Sequence, residues 1–367
     1  MIEIRGRKIG PGNAPYVIAE LSGNHNGDIN RALNLIEIAA ESGADAVKLQ
    51  TYTADSLVLD CDRPEFVLNA PKSTWNGRRL YDLYREAHTP WEWHKDLFAR
   101  AEALGIAIFS APFDKAAVAL LEDLGAPAYK LASNELHDWP LVAEVARTGK
   151  PIILSAGVAT LEDLAGTLEF MRREGARDIV VLHCVSAYPA PLEDTNLRTM
   201  EDIARRFDVI PGLSDHTLGI EASVAAVVHG ACVIEKHITL DRDDGGPDSS
   251  FSLEPDELKS LCRETKAAWQ DPKDARYNPV VLGEVKYGGT TDLKKKGIYT
   301  RQFWTIRNIK AGDVFSEDNI KSVRGPSDSG AVSTMSYKEI YGAIAAQDIA
   351  RHEPVLATMV GKRRKPA

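Results

Sequence analysis

From residue 16 to residue 270 the chain alternates between two hydrophobic patterns. Short, near-continuous apolar runs, such as Tyr-Val-Ile-Ala-Glu at 16–20 and Ile-Val-Val-Leu-His-Cys at 179–184, are each followed by a longer segment with apolar residues at helical spacing. The runs predict strands over 16–20, 46–50, 106–110, 128–132, 151–155, 179–184, 209–214 and 231–235. Helices are predicted over 29–41, 91–104, 115–124, 141–147, 161–174, 197–206, 220–229 and 254–269. Gly-Ala pairs at 43–44, 125–126 and 230–231 precede strands, where a helix would end on a left-handed glycine. Strands that read as continuous apolar runs are covered on both faces, which is the condition of a parallel sheet. Eight strand–helix units predict an α/β fold, a (β/α)8 TIM barrel. An open doubly wound sheet is the alternative, but Gly23-Asn24-His25-Asn26-Gly27 after the first strand lacks dinucleotide-loop spacing.

Several segments fall outside the repeat. Residues 2–9 alternate and predict a short hairpin that plugs or flanks the main body. Residues 51–89 are too long for an ordinary βα loop and carry several aromatics, so they form either a substrate lid or an oligomer contact. Residues 271–296 are rich in Pro, Gly and Lys and read as a linker, with Lys294 to Lys296 as a solvated turn. From 297 onward, short strands and Ala-Gly-Asp and His-Glu-Pro turns predict a small second domain. Such a domain buries little alone and has to dock on the barrel or on a sister subunit. The expected division is therefore barrel 1–270, linker 271–296 and small domain 297–367.

Composition excludes some partners. A net charge of −9 and a pI near 5.6 argue against nucleic acid and anionic membranes. The start, MIEIRGRKIG, reads as neither signal peptide nor anchor, and no later run approaches the roughly 20 apolar residues of a membrane helix. The four cysteines, Cys61, Cys184, Cys232 and Cys262, never form CxxC, and two lie in apolar strand patterns as small core residues. A reduced, cytoplasmic enzyme is the expectation.

In a barrel of this type, chemistry collects at the carboxyl ends of the strands. Those ends carry Glu20, Lys48 with Gln50, Ser110, Lys130 with Ser133 and Glu135, Ser155, Ser186 with Tyr188, Ser214 with His216, and Glu235 with His237. Lys48 and Lys130 interrupt apolar strands, and a buried lysine requires an anion. Ringed by serines, they make a pocket for a phosphate or carboxylate, and a Schiff-base aldolase lysine is the competing use. Glu20, Glu135 and Glu235 are candidates for acid/base work or for pairing with those lysines. His216 and His237 end successive strands and share one space if the strands are neighbours, as a two-histidine metal site or as hydrogen-bonded polar residues. Two neutral nitrogens favour Mn, Zn, Fe or Co over Mg. Asp248, in the acidic loop after the last strand, serves a sugar hydroxyl or a plain surface turn.

The segments IAELSGNHNGD, ADAVKLQTYT, FSAPFD, YKLASNE, LSDHTLG and EKHITLDRDDGGPDSSFSLEPDE resemble those of the sialic acid synthase family. SGNHNGD, LYREAHTPWEWH and FSLEPDE are most similar to its pseudaminic acid synthase branch. The resemblance spans nearly the whole chain. It implies a barrel followed by an antifreeze-like (SAF) β-clip domain in a domain-swapped homodimer. It also implies metal-dependent condensation of phosphoenolpyruvate with an open-chain acetamido sugar, 2,4-diacetamido-2,4,6-trideoxy-altrose in that branch, with phosphate leaving by C–O cleavage. By the family's motifs, Lys48, Lys130, Ser133, Ser155, Ser186 and Ser214 hold phosphoenolpyruvate, and His216 and His237 bind manganese or magnesium. Glu20, Gln50, Glu135, Tyr188 and Asp248 face the sugar and the reacting centre, Glu20 assisting a water, and Arg324 reaches the acetamido group in the partner subunit. The chain departs from the family at Ala111, where relatives often carry a hydroxyl, so that either Ser110 supplies that contact or it is lost. It departs again at Arg324-Gly325-Pro326-Ser327-Asp328-Ser329-Gly330, in place of Arg-Pro-Gly-x-Gly.

Overall fold

A computed structural model describes residues 1–68, 77–289 and 299–363. The expected lysine turn at 294–296 and the extreme C-terminus lie outside those residues. A hairpin of β1 (Ile2–Ile4) and β2 (Arg7–Ile9) starts the chain. Its Ile2, Ile4 and Ile9 join Tyr16, Ile18, Phe109, Ile153 and Val180 in one buried cluster, so the hairpin plugs the amino-terminal end of the barrel.

Eight parallel strands then close on themselves: β3 (Tyr16–Glu20), β4 (Ala46–Thr51), β5 (Ala107–Pro112), β6 (Tyr129–Leu131), β7 (Ile152–Ser155), β8 (Ile179–Cys184), β9 (Ile210–Asp215) and β10 (Val233–His237). Closure is the β10–β3 pair, with His237 opposite Glu20. The helices are α1 (Ile29–Glu41), α2 (Ala54–Leu57), α3 (Leu80–Ala87), α4 (His94–Leu104), α5 (Lys115–Asp123), α6 (Trp139–Arg147), α7 (Leu161–Arg173), α8 (Arg198–Phe207), α9 (Glu221–Val228) and α10 (Pro255–Gln270). Two of these, α2 and α3, lie inside the 51–89 insertion.

Among the boundaries that differ from expectation, two bear on the site and have local reasons. The sixth helix begins at Trp139, because Asp138 caps it by accepting from Leu141 N–H and Pro140 occupies its first turn. The last barrel strand runs to His237, which puts Glu235 and His237 within the strand and fixes both side chains by its register.

Strand residues alternate between the barrel interior and the helical layer. Ile18, Phe109, Ile153 and Val180 point inward, whereas Val17, Ile108, Tyr129, Leu154 and Leu213 pack on the helices. Gly212 sits at the tightest point: a Cβ there would come within 2.5 Å of Leu182 Cδ2 and Val233 O.

The C-terminal domain is built on an antiparallel pair, β11 (Tyr299–Thr305) with β12 (Ile320–Pro326), over a core that includes Phe303, Ile309, Phe315, Ile320, Ile349 and Val355. It sits on the barrel mouth. Trp304 and Val323 join Tyr52, Leu57, Phe66, Leu83 and Phe113 in one cluster, so the 51–89 insertion is the seat for the small domain. Arg63 reaches Glu353 at 2.6 Å, Ser322 donates to Asp138 at 2.7 Å, and Thr334 donates to the His137 carbonyl at 2.7 Å. The approach segment is strapped to the barrel wall through Leu197 N–H to Val281 O and Gly288 N–H to Ala159 O. Among the described residues no helix is long and apolar enough to cross a membrane, and Cys61, Cys184, Cys232 and Cys262 are free thiols.

Candidate active site

The carboxyl ends of the strands open into a cavity of about 270 Å3, roofed by Tyr299 and Arg324 of the small domain. Lys48, Gln50, Lys130, Ser133, Ser155, Ser186, Tyr188, Ser214, Glu235, His216, His237, Asp248 and Arg324 all line it. A hollow of about 1090 Å3 lies on the outer wall between α9 and α10, remote from these groups.

Lys48 and Lys130 are held by buried carboxylates. Lys48 Nζ lies 2.5 Å from Glu20 and 3.8 Å from Glu235, and Lys130 Nζ lies 3.3 Å from Glu235. Burial opposes the charge on Lys48, but Glu20 and Glu235 outweigh it and hold the ammonium above its ordinary range. Burial pushes Lys130 down, with Glu235 only partly restoring it. Burial would raise Glu235, yet Lys130, Lys48 and the Ser214 hydroxyl, which donates at 2.9 Å, bring it below the usual carboxylate range.

The hydroxyls complete an anion cradle. Gly157 N–H donates to Ser133 Oγ at 3.0 Å, which leaves the Ser133 proton free for a ligand. Ser155 Oγ is buried with no partner, and a buried donor without an acceptor marks a place where a ligand oxygen belongs. Gly157 is required for this convergence: a Cβ there would stand 2.5 Å from Ser186 Oγ and 2.9 Å from Cys184 O. Overpacking of this kind costs about 1–3 kcal/mol. Gly157→Ala is therefore expected to weaken binding of an anionic ligand about tenfold while the fold persists. Titration calorimetry with phosphoenolpyruvate checks this, and unchanged affinity would show that the serines tolerate separation.

The two histidines do share a space, with ring centroids 5.3 Å apart and Phe251 packed on both. His216 Nδ1–H donates to Val185 O at 3.0 Å, which leaves Nε2 with its lone pair. His237 is held neutral, well below its ordinary range, by burial, His216 and the nearby lysines. Its Nδ1 is buried without a hydrogen bond, 3.6 Å from Asp248. Two imidazoles, each with a ring nitrogen that makes no hydrogen bond, fit a divalent cation. Among the described residues no group of three or more His, Cys, Asp or Glu side chains is arranged to hold a metal unaided. Behind the histidines a buried ion pair, Lys236 to Asp215 at 2.9 Å, ties β10 to β9, and Ser223 donates to Asp215 at 2.6 Å.

Three expected site residues lie elsewhere. Ser110 does not reach the cavity: it follows inward Phe109, points to the helical layer and hydrogen-bonds Thr51 at 2.6 Å. The contact that Ala111 forgoes is therefore not supplied by Ser110. Glu20 is fully buried behind Lys48, accepts from Gln50 at 2.8 Å and does not line the cavity. Glu135 is closed off from the cavity by Arg324, which forks onto it at 2.8 and 2.7 Å, and is also held by Arg301, which donates at 3.0 Å. Arg324 lines the cavity of the barrel on which the small domain sits.

Sequence reasoning missed Cys184, which lies on the cavity wall with its sulfur 3.7 Å from His216 Nδ1 instead of in the core. Its inward parity with Val180 and Leu182 was the available signal. It also missed Phe113, Asn134 and Tyr299, which line the cavity, and Arg301.

Glu135 couples this contact to pH. Burial would raise its pKa, but Arg324 and Arg301 bring it down to about 2. A depressed carboxylate contributes stability above its unfolded value that is lost as pH falls toward the folded one, here from about 4.5 to about 2. The contribution is on the order of 3 kcal/mol. Glu135→Gln is expected to melt well below the wild type at neutral pH, with the gap closing across that acid window. A gap independent of pH would contradict the assignment.

Together, fold and site define a (β/α)8-barrel enzyme with an anion cradle and a histidine pair under a β-clip roof. The NeuB family model matches residues 35–276 and the SAF domain model residues 300–361, and the chain belongs to the NeuB family. It is 40% identical over 334 residues to a pseudaminic acid synthase of Campylobacter jejuni, covering 91% of this chain and 93% of that protein. It is 37% identical over 340 residues to an N,N'-diacetyllegionaminic acid synthase of Campylobacter jejuni, covering 92% and 97%. The crystal structure of the spore coat polysaccharide biosynthesis protein spsE from Bacillus subtilis superposes with a TM-score of 0.83 at 31% identity, covering 98% of each chain.

Proposed function

We propose that this enzyme condenses phosphoenolpyruvate with 2,4-diacetamido-2,4,6-trideoxy-altrose, giving a nine-carbon 2-keto sugar acid and inorganic phosphate, the reaction of a pseudaminic acid synthase. The observation that carries this reading is one cavity holding two buried lysines, the unpartnered Ser155 hydroxyl and a pair of adjacent histidines, on a chain 40% identical to a pseudaminic acid synthase.

Lys48 and Lys130 neutralise the carboxylate and phosphate of phosphoenolpyruvate, and Ser133, Ser155, Ser186 and Ser214 orient those groups. Glu20 holds Lys48 and Gln50 in place. His216 and His237 would hold a divalent cation, manganese or magnesium, which when bound would supply Lewis-acid polarisation of the sugar aldehyde. The enol carbon bonds to the aldehyde carbon, whose oxygen takes up a proton. The cationic central carbon then takes up water, and the C–O bond to phosphate breaks as the ketone forms. Glu235, the carboxylate that faces the cavity between both lysines, is placed to accept the proton that water loses. At Lys48 the same pairing speaks against the aldolase reading, since Glu20 and Glu235 hold its ammonium above the ordinary range.

The expected homodimer and cytoplasmic location belong to this proposal. The chain passes from barrel to small domain through residues 290–298, outside those described, so the Arg324–Glu135 contact serves a small domain from either copy.

Phosphate release with manganese, phosphoenolpyruvate and one sugar at a time tests the reading. The 2,4-diacetamido-altrose sugar is expected to give the highest kcat/KM. A higher value with N-acetylmannosamine or the legionaminic precursor would move the enzyme to that branch, and no phosphate from any of the three would overturn the reading.

A further inference from the structure

Arg301 and Arg324 stand directly opposite each other in the antiparallel β11–β12 pair. Like charges at that spacing destabilise a sheet unless an anion lies between them. The small domain does not provide that anion. Glu135 of the barrel does: its Oε1 accepts from both Arg301 Nε and Arg324 Nε, and its Oε2 accepts from Arg324 Nη2. The two arginines nonetheless occupy different surroundings. The Arg301 side chain is fully buried, with its other N–H groups on the backbone carbonyls of Ser56, Phe113 and Ser322, and it lines no part of the cavity. The Arg324 side chain is 15% exposed, lines the cavity and stacks over Phe113 with 5.1 Å from guanidinium carbon to ring centroid.

We propose that Arg301 is a positioning residue for sugar recognition: it clamps Glu135 from the side away from the cavity and so fixes the plane in which Arg324 presents its remaining N–H groups to the sugar. A bidentate fork onto a carboxylate sets guanidinium orientation only if the carboxylate itself is held. Arg301 provides that hold, anchored on the 51–89 insertion at Ser56, the loop after β5 at Phe113 and its neighbouring strand at Ser322. Sugar selectivity on this account depends on a residue that touches no substrate. Phosphoenolpyruvate, bound at the barrel floor by Lys48, Lys130 and the serines, is indifferent to it.

The inference rests on the functional reading above, so phosphate release by the wild type is scored first, and its absence with every sugar would overturn that reading. With an active wild type, Arg301→Lys keeps the charge and loses the fixed geometry. The expected result is a rise of about tenfold or more in KM for the sugar. KM for phosphoenolpyruvate is expected to stay within about twofold, since the two sites do not share partners. Arg301→Met combined with Arg324→Met is expected to be no worse in sugar KM than Arg324→Met alone, because one acts through the other. Equal rises in both KM values, a fall in kcat with sugar KM unchanged, or additive effects in the double variant would overturn the proposal. Should Arg301→Met fail to fold, the Arg301→Lys comparison of the two KM values decides alone.

Discussion

Lys130→Met is expected to weaken phosphoenolpyruvate binding by about a hundredfold to a thousandfold, the range seen when a preorganised charge partner is removed from a water-poor site. Lys130 is 3% exposed and faces Glu235 at 3.3 Å, so the methionine variant also strands a buried carboxylate. Breaking one side of a buried ion pair costs about 3–5 kcal/mol of stability. Lost affinity alone would therefore not separate a ligand role from a folding defect. The double variant Lys130→Met with Glu235→Gln removes both charges and is expected to regain most of the thermal stability. It is expected to remain unable to bind phosphoenolpyruvate by calorimetry. Recovery of binding together with stability would show that Lys130 serves only as the partner of Glu235.

His237→Ala is expected to lower manganese-dependent turnover on the order of a thousandfold, since Lewis-acid assistance contributes several kcal/mol to such a step. The fold should survive, because the lost imidazole leaves no hydrogen bond broken at Nδ1 and its neighbour Phe251 remains packed on His216. Equilibrium dialysis of manganese gives a readout separate from activity, with bound metal lost in the variant. Retained turnover with unchanged metal dependence would break the pairing of His216 and His237 as ligands.

The strand–helix alternation was legible because each barrel strand is covered on both faces and so carries an uninterrupted apolar run. The limits of β3 and β8 follow from that alone. The side on which a residue points was equally written in the sequence. Phe109 is an interior residue, so Ser110 beside it has to face the helices, and its place near a strand end does not bring it to the cavity. The same parity places Cys184 beside the catalytic groups. Contacts between distant segments carried no such signal. Glu135 reads locally as an acid/base candidate at a strand end, and only the docked small domain shows the two arginines paired with it. Arg301 lies 166 residues from Glu135 and inside a short strand whose last five residues are all buried, so no pattern singles it out. The aromatic 51–89 insertion reads as lid or oligomer contact. Its use as the seat for Trp304 required the other half of the interface.

The central claim is that phosphoenolpyruvate reacts here by carbon–carbon bond formation and loses phosphate through its C–O bond. Phosphoenolpyruvate labelled with oxygen-18 at the bridging position tests it most directly. With manganese and the diacetamido sugar, the label should appear wholly in the released phosphate, and the keto sugar acid should carry none. Label in the sugar acid product, with solvent oxygen in the phosphate, would contradict the account.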